Sequence, residues 1–253
     1  MNINYYKEYA FLERHHWWFR VRGKIISKLI SNSFETIENK QLNILNIGAA
    51  TGKTSELLSK FGKVISLEYD KDCCDYAEQQ FNLDIIHGSI LDLPFKEEEF
   101  DLVCAFDVIE HVKDDRLGVQ EMRRVCKRDG LIVLTVPAYM FLWSHHDEVN
   151  HHYRRYTLKN LKELVKKEDL IPVRATFYNT LLFLPIALFR LLSKMIPEKL
   201  IRKGAGSDAT LHNSNSLISR ILYRIFSLEL SLLNVFNLPF GVSIFLSLSK
   251  NKR

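Results

Sequence analysis

Apolar positions follow three different rhythms along this chain. Val21, Ile25 and Leu29 recur every four residues with Ile26 and Ile30 beside them, the stripe of an amphipathic helix, so the first forty residues read as a helical arm. After residue 42 the pattern shifts to short aliphatic runs at 43–47, 64–68, 84–87, 101–106 and 131–136, separated by helix-length segments such as 72–81 and 116–126. Strands joined through helices pair in parallel by right-handed crossovers, and such sheets bind ligands at the carboxyl ends of their strands. A helix over 157–168, opened by Thr157 as N-cap, leads to a strand at 172–178, and a last strand follows at 242–249. About sixty residues lie between those two strands, too many for a loop. They hold an apolar run at 181–196, a polar Gly/Ser/Asn stretch at 203–216 and a helix at 217–236. The pattern predicts one α/β domain: a helical arm (1–40), a core (41–180), a helical insertion (181–240), then the last strand and tail (241–253).

The insertion is the most apolar part of the chain. Residues 181–192 are interrupted by Pro185 and Arg190 and fall short of the roughly twenty residues that a membrane-spanning helix needs. In 217–236 the polar residues Arg220, Arg224, Ser227, Ser231 and Asn234 recur at spacings of four and three, leaving a wide apolar circumference. Such a helix belongs in a membrane interface or against a lipidic substrate, in a protein core, or in a homodimer, and the first is preferred. Charge adds to that preference. Residues 173–253 carry 11 Lys or Arg against 3 Asp or Glu, whereas the preceding part carries 24 against 27. A basic excess on the most apolar stretch points to an anionic membrane surface and not to nucleic acid, although a solvated basic face has the same composition. Values of 47% hydrophobic and 26% charged residues exclude a disordered chain. The four cysteines form no C-x-x-C pair, and the N-terminus lacks a secretory layout, so the expected location is the cytoplasm with peripheral contact at the inner face of the membrane.

The chemistry-bearing segment is Ile44-Leu45-Asn46-Ile47-Gly48-Ala49-Ala50-Thr51-Gly52, a buried strand running into a turn of small residues. Small residues let a ligand approach the backbone and leave helix N-terminal N–H groups unobstructed. A phosphate-binding P-loop would need glycine where Ile47 stands, and a dinucleotide fingerprint would need glycine at Ala50 and Lys53, so both rivals miss on spacing. Glu68, twenty residues past Gly48 at the end of the next strand, is an acceptor-only carboxylate suited to the two hydroxyls of a ribose.

Asn46-x-Gly48-x-x-x-Gly52, Glu68, the stretch from Gly88 to Phe95, and Phe100-Asp101-Leu102-Val103 through Asp107-Val108-Ile109-Glu110-His111-Val112 together resemble the class I methyltransferases of the type 11 branch. The resemblance covers residues 43–137. It implies a doubly wound, mostly parallel seven-stranded Rossmann-like sheet, with the arm before it and the insertion before its last strand. It implies S-adenosylmethionine as cofactor, with Asn46, Gly48, Ala50 and Gly52 around the methionine part, Glu68 and Tyr69 at the ribose, Ser89 and Ile90 at the adenine, and Asp107 completing the set. The family usually has Asp at position 46, Gly at 50 and Asp at 89. A degenerate fold acting as a non-catalytic interaction module is therefore the alternative to an enzyme.

Two clusters flank this core, one over 13–22 and one over 143–156, and they also resemble a bacterial subgroup of methyltransferases associated with glycan or lipid biosynthesis. The second follows the fifth strand, where a loop naturally meets substrate. Methyl transfer needs an in-line nucleophile, and a hydroxyl acceptor gains from a base. His146, with Asp147 and His111, is the expected base. Trp17, Trp18, Arg22, Arg154 and Arg155 are expected to bind a small-molecule or lipid-linked substrate, with a lipid-linked or anionic sugar or a small carboxylate as the expected acceptor. Of the ligand types at His145, Asp147, His151 and His152, none has a recognised metal spacing, so no metal is expected.

Overall fold

A computed structural model describes residues 3–33, 41–193 and 216–251. The arm forms two helices, α1 (Ile3–His15) and α2 (Trp17–Ser33). The core follows as β1 (Leu42–Ile47), α3 (Lys53–Leu58), β2 (Gly62–Glu68), α4 (Lys71–Phe81), β3 (Ile85–His87), β4 (Phe100–Phe106), α5 (Asp115–Val125), β5 (Cys126–Pro137), α6 (His145–Val149), α7 (Leu158–Lys166) and β6 (Ile171–Tyr178). The insertion contributes α8 (Phe183–Ser193), α9 (Leu217–Ser227) and α10 (Glu229–Val235) before β7 (Ser243–Ser249). Side-chain caps set several helix starts: Asp70 accepts from Asp72 and Cys73, Asp114 from Leu117, and Thr157 from Asn160.

The strands form one sheet in the order β3-β2-β1-β4-β5-β7-β6, parallel except for β7, which runs against both β5 and β6. This is the doubly wound, seven-stranded arrangement expected. Alternate residues divide between two cores. Leu45, Ile47, Val103, Ala105, Ile132 and Leu134 pack with α5 and α7, whereas Ile44, Leu102, Cys104, Leu131, Val133 and Phe245 pack with α2, α9 and α10. Because both sheet faces are covered, the central strands carry long aliphatic runs, and β4 and β7 are buried along their whole length.

Two expectations for the insertion change. The helix expected over 217–236 is two helices that meet at Leu228. Just past that break Glu229 turns inward, fully buried, and its carboxylate accepts from the Asn179 and Leu181 backbone N–H groups at 2.7 and 2.8 Å. The apolar run expected to 196 is helical through Ser193, and the rest of it lies outside the described residues, as does the polar stretch from 203 to 215.

Candidate functional site

The carboxyl ends of β1, β2 and β4 converge on one turn. After β1 the backbone takes left-handed conformations at Gly48 (φ 71°), Ala50 (φ 49°) and Gly52 (φ 87°). A side chain at Gly48 would meet Val108 Cγ2 at 2.4 Å, so only glycine fits between this turn and the loop after β4. The Ala50 N–H donates to Glu68 Oε2 at 2.9 Å. Glu68 Oε1 accepts from Asp70 N at 3.0 Å. The carboxylate is thus aimed by two backbone donors while each oxygen keeps a free lone pair. Beneath the turn, buried Asn46 donates to Thr54 Oγ1 and Ser55 Oγ, both at 2.8 Å, and its Oδ1 has no partner among the described residues. Ser89 holds its own turn by accepting from Leu91 N at 3.1 Å, Ile90 is buried behind it, and Tyr69 is exposed beside Glu68. These groups fit a nucleoside carrying a small charged tail: a glycine cradle, an anchored carboxylate, an orphan buried acceptor and an exposed aromatic ring.

The arm closes on this turn. Arg14 donates to Thr51 Oγ1 and to the Thr51 carbonyl, both at 3.1 Å, and Thr51 Oγ1 donates to buried Glu13. Burial pushes the Glu13 carboxyl up to about 7. Tyr6 donates to Asp70 Oδ2 at 2.8 Å. Arg22 in α2 reaches Asp107 at 2.7 Å, and that ion pair keeps its guanidinium charged despite burial. Asp107 has left-handed backbone (φ 58°) and also accepts from Thr135 Oγ1 at 3.2 Å. Trp17 is buried edge-on against Phe226, and Trp18 lies half-buried near the Arg22 guanidinium. Of the expected substrate residues on the arm, Arg22 is therefore bound to Asp107 and Trp17 to the α9 core.

The loop after β5 is stitched to the loop after β4. Tyr153 N donates to the Glu110 carbonyl, and Arg154 binds Asp115 and the carbonyls of Val112 and Lys113. Asp147 is fully buried. Its oxygens accept from Ser144 N at 2.9 Å and Arg155 Nε at 2.8 Å and sit 2.8 Å from His152 Nδ1. These partners outweigh burial and hold its carboxyl well below the usual range. Asp147 and Arg155, expected as base and substrate cation, are thus engaged with each other inside the loop. His146 stays half-exposed with its ring 6.0 Å from that of His152.

Sequence spacing did not reveal what the fold assembles next. Glu110, His111 and His152 converge so that one ligand atom from each lies within 4.8 Å of the others. Glu110 is fully buried, and neither carboxylate oxygen has a hydrogen-bond partner among the described residues. Burial, reinforced by nearby Asp107, pushes its carboxyl well above the usual range. His111, at the exposed edge of the cluster, is lowered to about 4, by desolvation of its ring nitrogens among the surrounding groups first and then by His152.

Residues 45–134 match the family model of the methyltransferase domain. A probable S-adenosylmethionine-dependent methyltransferase of Mycolicibacterium smegmatis is 27% identical over 50% of this chain and 48% of its own length. A demethylmenaquinone methyltransferase of Oceanobacillus iheyensis is 28% identical over 57% of this chain and 67% of its own. The chain thus spans about half the length of the first of these relatives. A candidate methyltransferase of Bacillus halodurans shares the fold, with a TM-score of 0.59 and 15% identity over 90% of this chain and 99% of that one. Motif order and family match agree over residues 45–134, which are similar to the methyltransferase domain, and the sheet as a whole shares its fold with that structure.

Proposed function

We propose that this chain, built on a class I methyltransferase domain, transfers a methyl group from S-adenosylmethionine to an oxygen of a lipid-linked or anionic acceptor. The observation that carries the reading is Glu68, a carboxylate at the end of β2 aimed by the Ala50 and Asp70 N–H groups beside the Gly48 turn, with accepting capacity left for two ribose hydroxyls. Asn46, Gly48, Ala50 and Gly52 would border the methionine part, Tyr69 the ribose beside Glu68, Ser89 and Ile90 the adenine side, and Asp107 the gap between cofactor and acceptor. When bound, S-adenosylmethionine supplies an electrophilic methyl group. The chain's share is to orient an acceptor oxygen in line, keep water out and take up the hydroxyl proton, a role we assign to half-exposed His146. Asp147 and Arg155, engaged with each other within their loop, and Arg154, bound to the loop after β4, would position that histidine and its neighbours.

The acceptor class is argued from the outer surface. A cavity of about 220 Å³ between α2 and α9 is lined by His15, Arg20, Arg220, Tyr223 and Arg224, and Leu217, Ile218 and Ile221 are exposed on α9. Cationic lining beside apolar surface suits an anionic headgroup on an apolar chain, and a relative named for demethylmenaquinone supports an apolar acceptor. A cytoplasmic enzyme in peripheral contact with the membrane is the matching location.

Calorimetry with S-adenosylmethionine or its demethylated product tests the core of the proposal. Glu68→Ala should lower affinity about ten- to a hundredfold, since hydrogen bonds to a charged acceptor contribute roughly 1.5–3 kcal/mol. A wild-type chain that binds neither compound at millimolar concentration would leave the interaction-module reading. That alternative has its own observation: the Asn46 amide and the Ser89 hydroxyl, where the family usually carries carboxylates, already serve partners inside the fold.

A further inference from the structure

We infer that Glu110, His111 and His152 form a divalent transition-metal site with open coordination positions for an oxygen of the acceptor. The link to an acceptor rests on the methyltransferase reading; the ion site does not.

The first support is the chemistry of the set. Two imidazoles and one carboxylate are a donor combination that binds zinc-like ions through three protein ligands and leaves room for water or substrate. Ligand atoms about 2.1 Å from one tetrahedral ion lie about 3.4 Å apart. The trio, now within 4.8 Å, is close enough for rotation of the two imidazoles and the carboxylate about their side-chain bonds to bring it onto one ion. The second support is Glu110 itself. A fully buried carboxylate whose two oxygens have no hydrogen-bond partner among the described residues costs several kcal/mol as an unpaired anion. A cation beside it removes that cost.

The third support is the shell behind the histidines. An imidazole bound to a metal commonly gives its other ring N–H to a carboxylate or backbone carbonyl, which fixes the ring and raises its basicity. His152 has Nδ1 2.8 Å from Asp147 Oδ1, and Asp147 is itself held by Arg155 Nε and Ser144 N. His111 has the Asn150 backbone within hydrogen-bonding range of its ring. Each histidine is therefore oriented from behind and has one nitrogen left over. The rings meet edge to face with centroids 4.5 Å apart, and Asp147 shares its oxygen between a histidine and an arginine, an arrangement that surface packing alone does not require.

Titration of the full chain with Zn²⁺ alone, and separately with Co²⁺ followed by its visible absorption, tests the site. One equivalent should bind, and Glu110→Gln and His152→Asn should each weaken binding at least tenfold, with circular dichroism reporting that the fold persists. Asp147→Asn should weaken it ten- to a hundredfold through His152. If a variant fails to fold, His111→Asn replaces it, because His111 is exposed. Absence of binding at 100 micromolar Zn²⁺ or Co²⁺, or binding undiminished in both Glu110→Gln and His152→Asn, overturns the inference. Binding of demethylated cofactor is measured in the same samples. A chain that takes the ion but not the cofactor refutes the methyltransferase reading and leaves the ion site standing, and the converse refutes the ion site alone.

Discussion

Glu13 links the arm to the cofactor turn and makes that link sensitive to pH. It accepts from Thr51 Oγ1 in a buried setting that raises its carboxyl to about 7, against 4.5 for an unperturbed glutamate. Between those two values the folded chain holds a proton that the unfolded chain has lost, so stability falls as pH rises through this window and levels above pH 7. The linkage ceiling is about 3 kcal/mol. Glu13→Gln keeps an oxygen acceptor for Thr51 and removes the charge. Its melting temperature should match wild type near pH 4.5 and exceed it at pH 8, by roughly 2–4 °C for each kcal/mol regained. A variant no more stable than wild type at pH 8 would mean that Arg14 and Arg22 keep the carboxylate charged at little cost. Glu13 was visible in the sequence only as part of an aromatic and basic cluster, because burial by a distant turn leaves no local mark. Gly48 and Glu68 were legible for the opposite reason: a left-handed turn and a strand-end carboxylate twenty residues apart are local requirements of one fold.

At the scale of elements, α2 is fastened to the sheet by Arg22, whose guanidinium bonds Asp107 at 2.7 Å and Thr135 at 3.4 Å. Arg22→Met removes the cation and leaves the Asp107 carboxylate without the ion-pair partner that α2 supplies. Breaking a buried pair costs about 3–5 kcal/mol, and because the Asp107 carboxylate is 27% exposed the lower end, about 3, is expected in urea unfolding. Arg22→Met with Asp107→Asn should recover about half. A loss below 1 kcal/mol in the single variant would show that α2 is held by apolar packing alone. Strands and helices of the core were legible because each has its own period and caps, with ends misplaced by a few residues, as at β5, which starts at Cys126 and not 131. Two features were not. The break at Leu228 depends on where Glu229 finds donors, on a turn some fifty residues earlier. The Glu110, His111 and His152 cluster joins loops after different strands, so no short spacing could announce it.

For the whole molecule, the arm and the insertion are one layer. α2, α9 and α10 cover the same face of the sheet, with Phe226 and Leu233 buried inward. Large apolar side chains stay exposed on the outer side of the layer, Leu217 at 71% and Val235 at 73% with Leu228 and Phe236, and α8 exposes Leu184 and Leu188. No helix of the described residues is long and apolar enough to cross a membrane, but a broad apolar side beside Arg220 and Arg224 suits a bilayer surface. The apolar side would enter the acyl boundary, and each arginine near an anionic headgroup would add about 1 kcal/mol. Lys194, Lys199, Arg202 and Lys203 extend the basic composition but lie outside the described residues. Liposome flotation should therefore carry the chain up with anionic vesicles, less with neutral ones, and progressively less as salt rises. Arg220→Glu with Arg224→Glu should abolish the preference for anionic lipid without unfolding the chain, because both side chains are exposed. A chain that stays at the bottom of every gradient rejects the membrane reading. In that outcome a doubled mass by light scattering would assign the apolar side to a homodimer, and a single mass would make it a cover over an apolar acceptor.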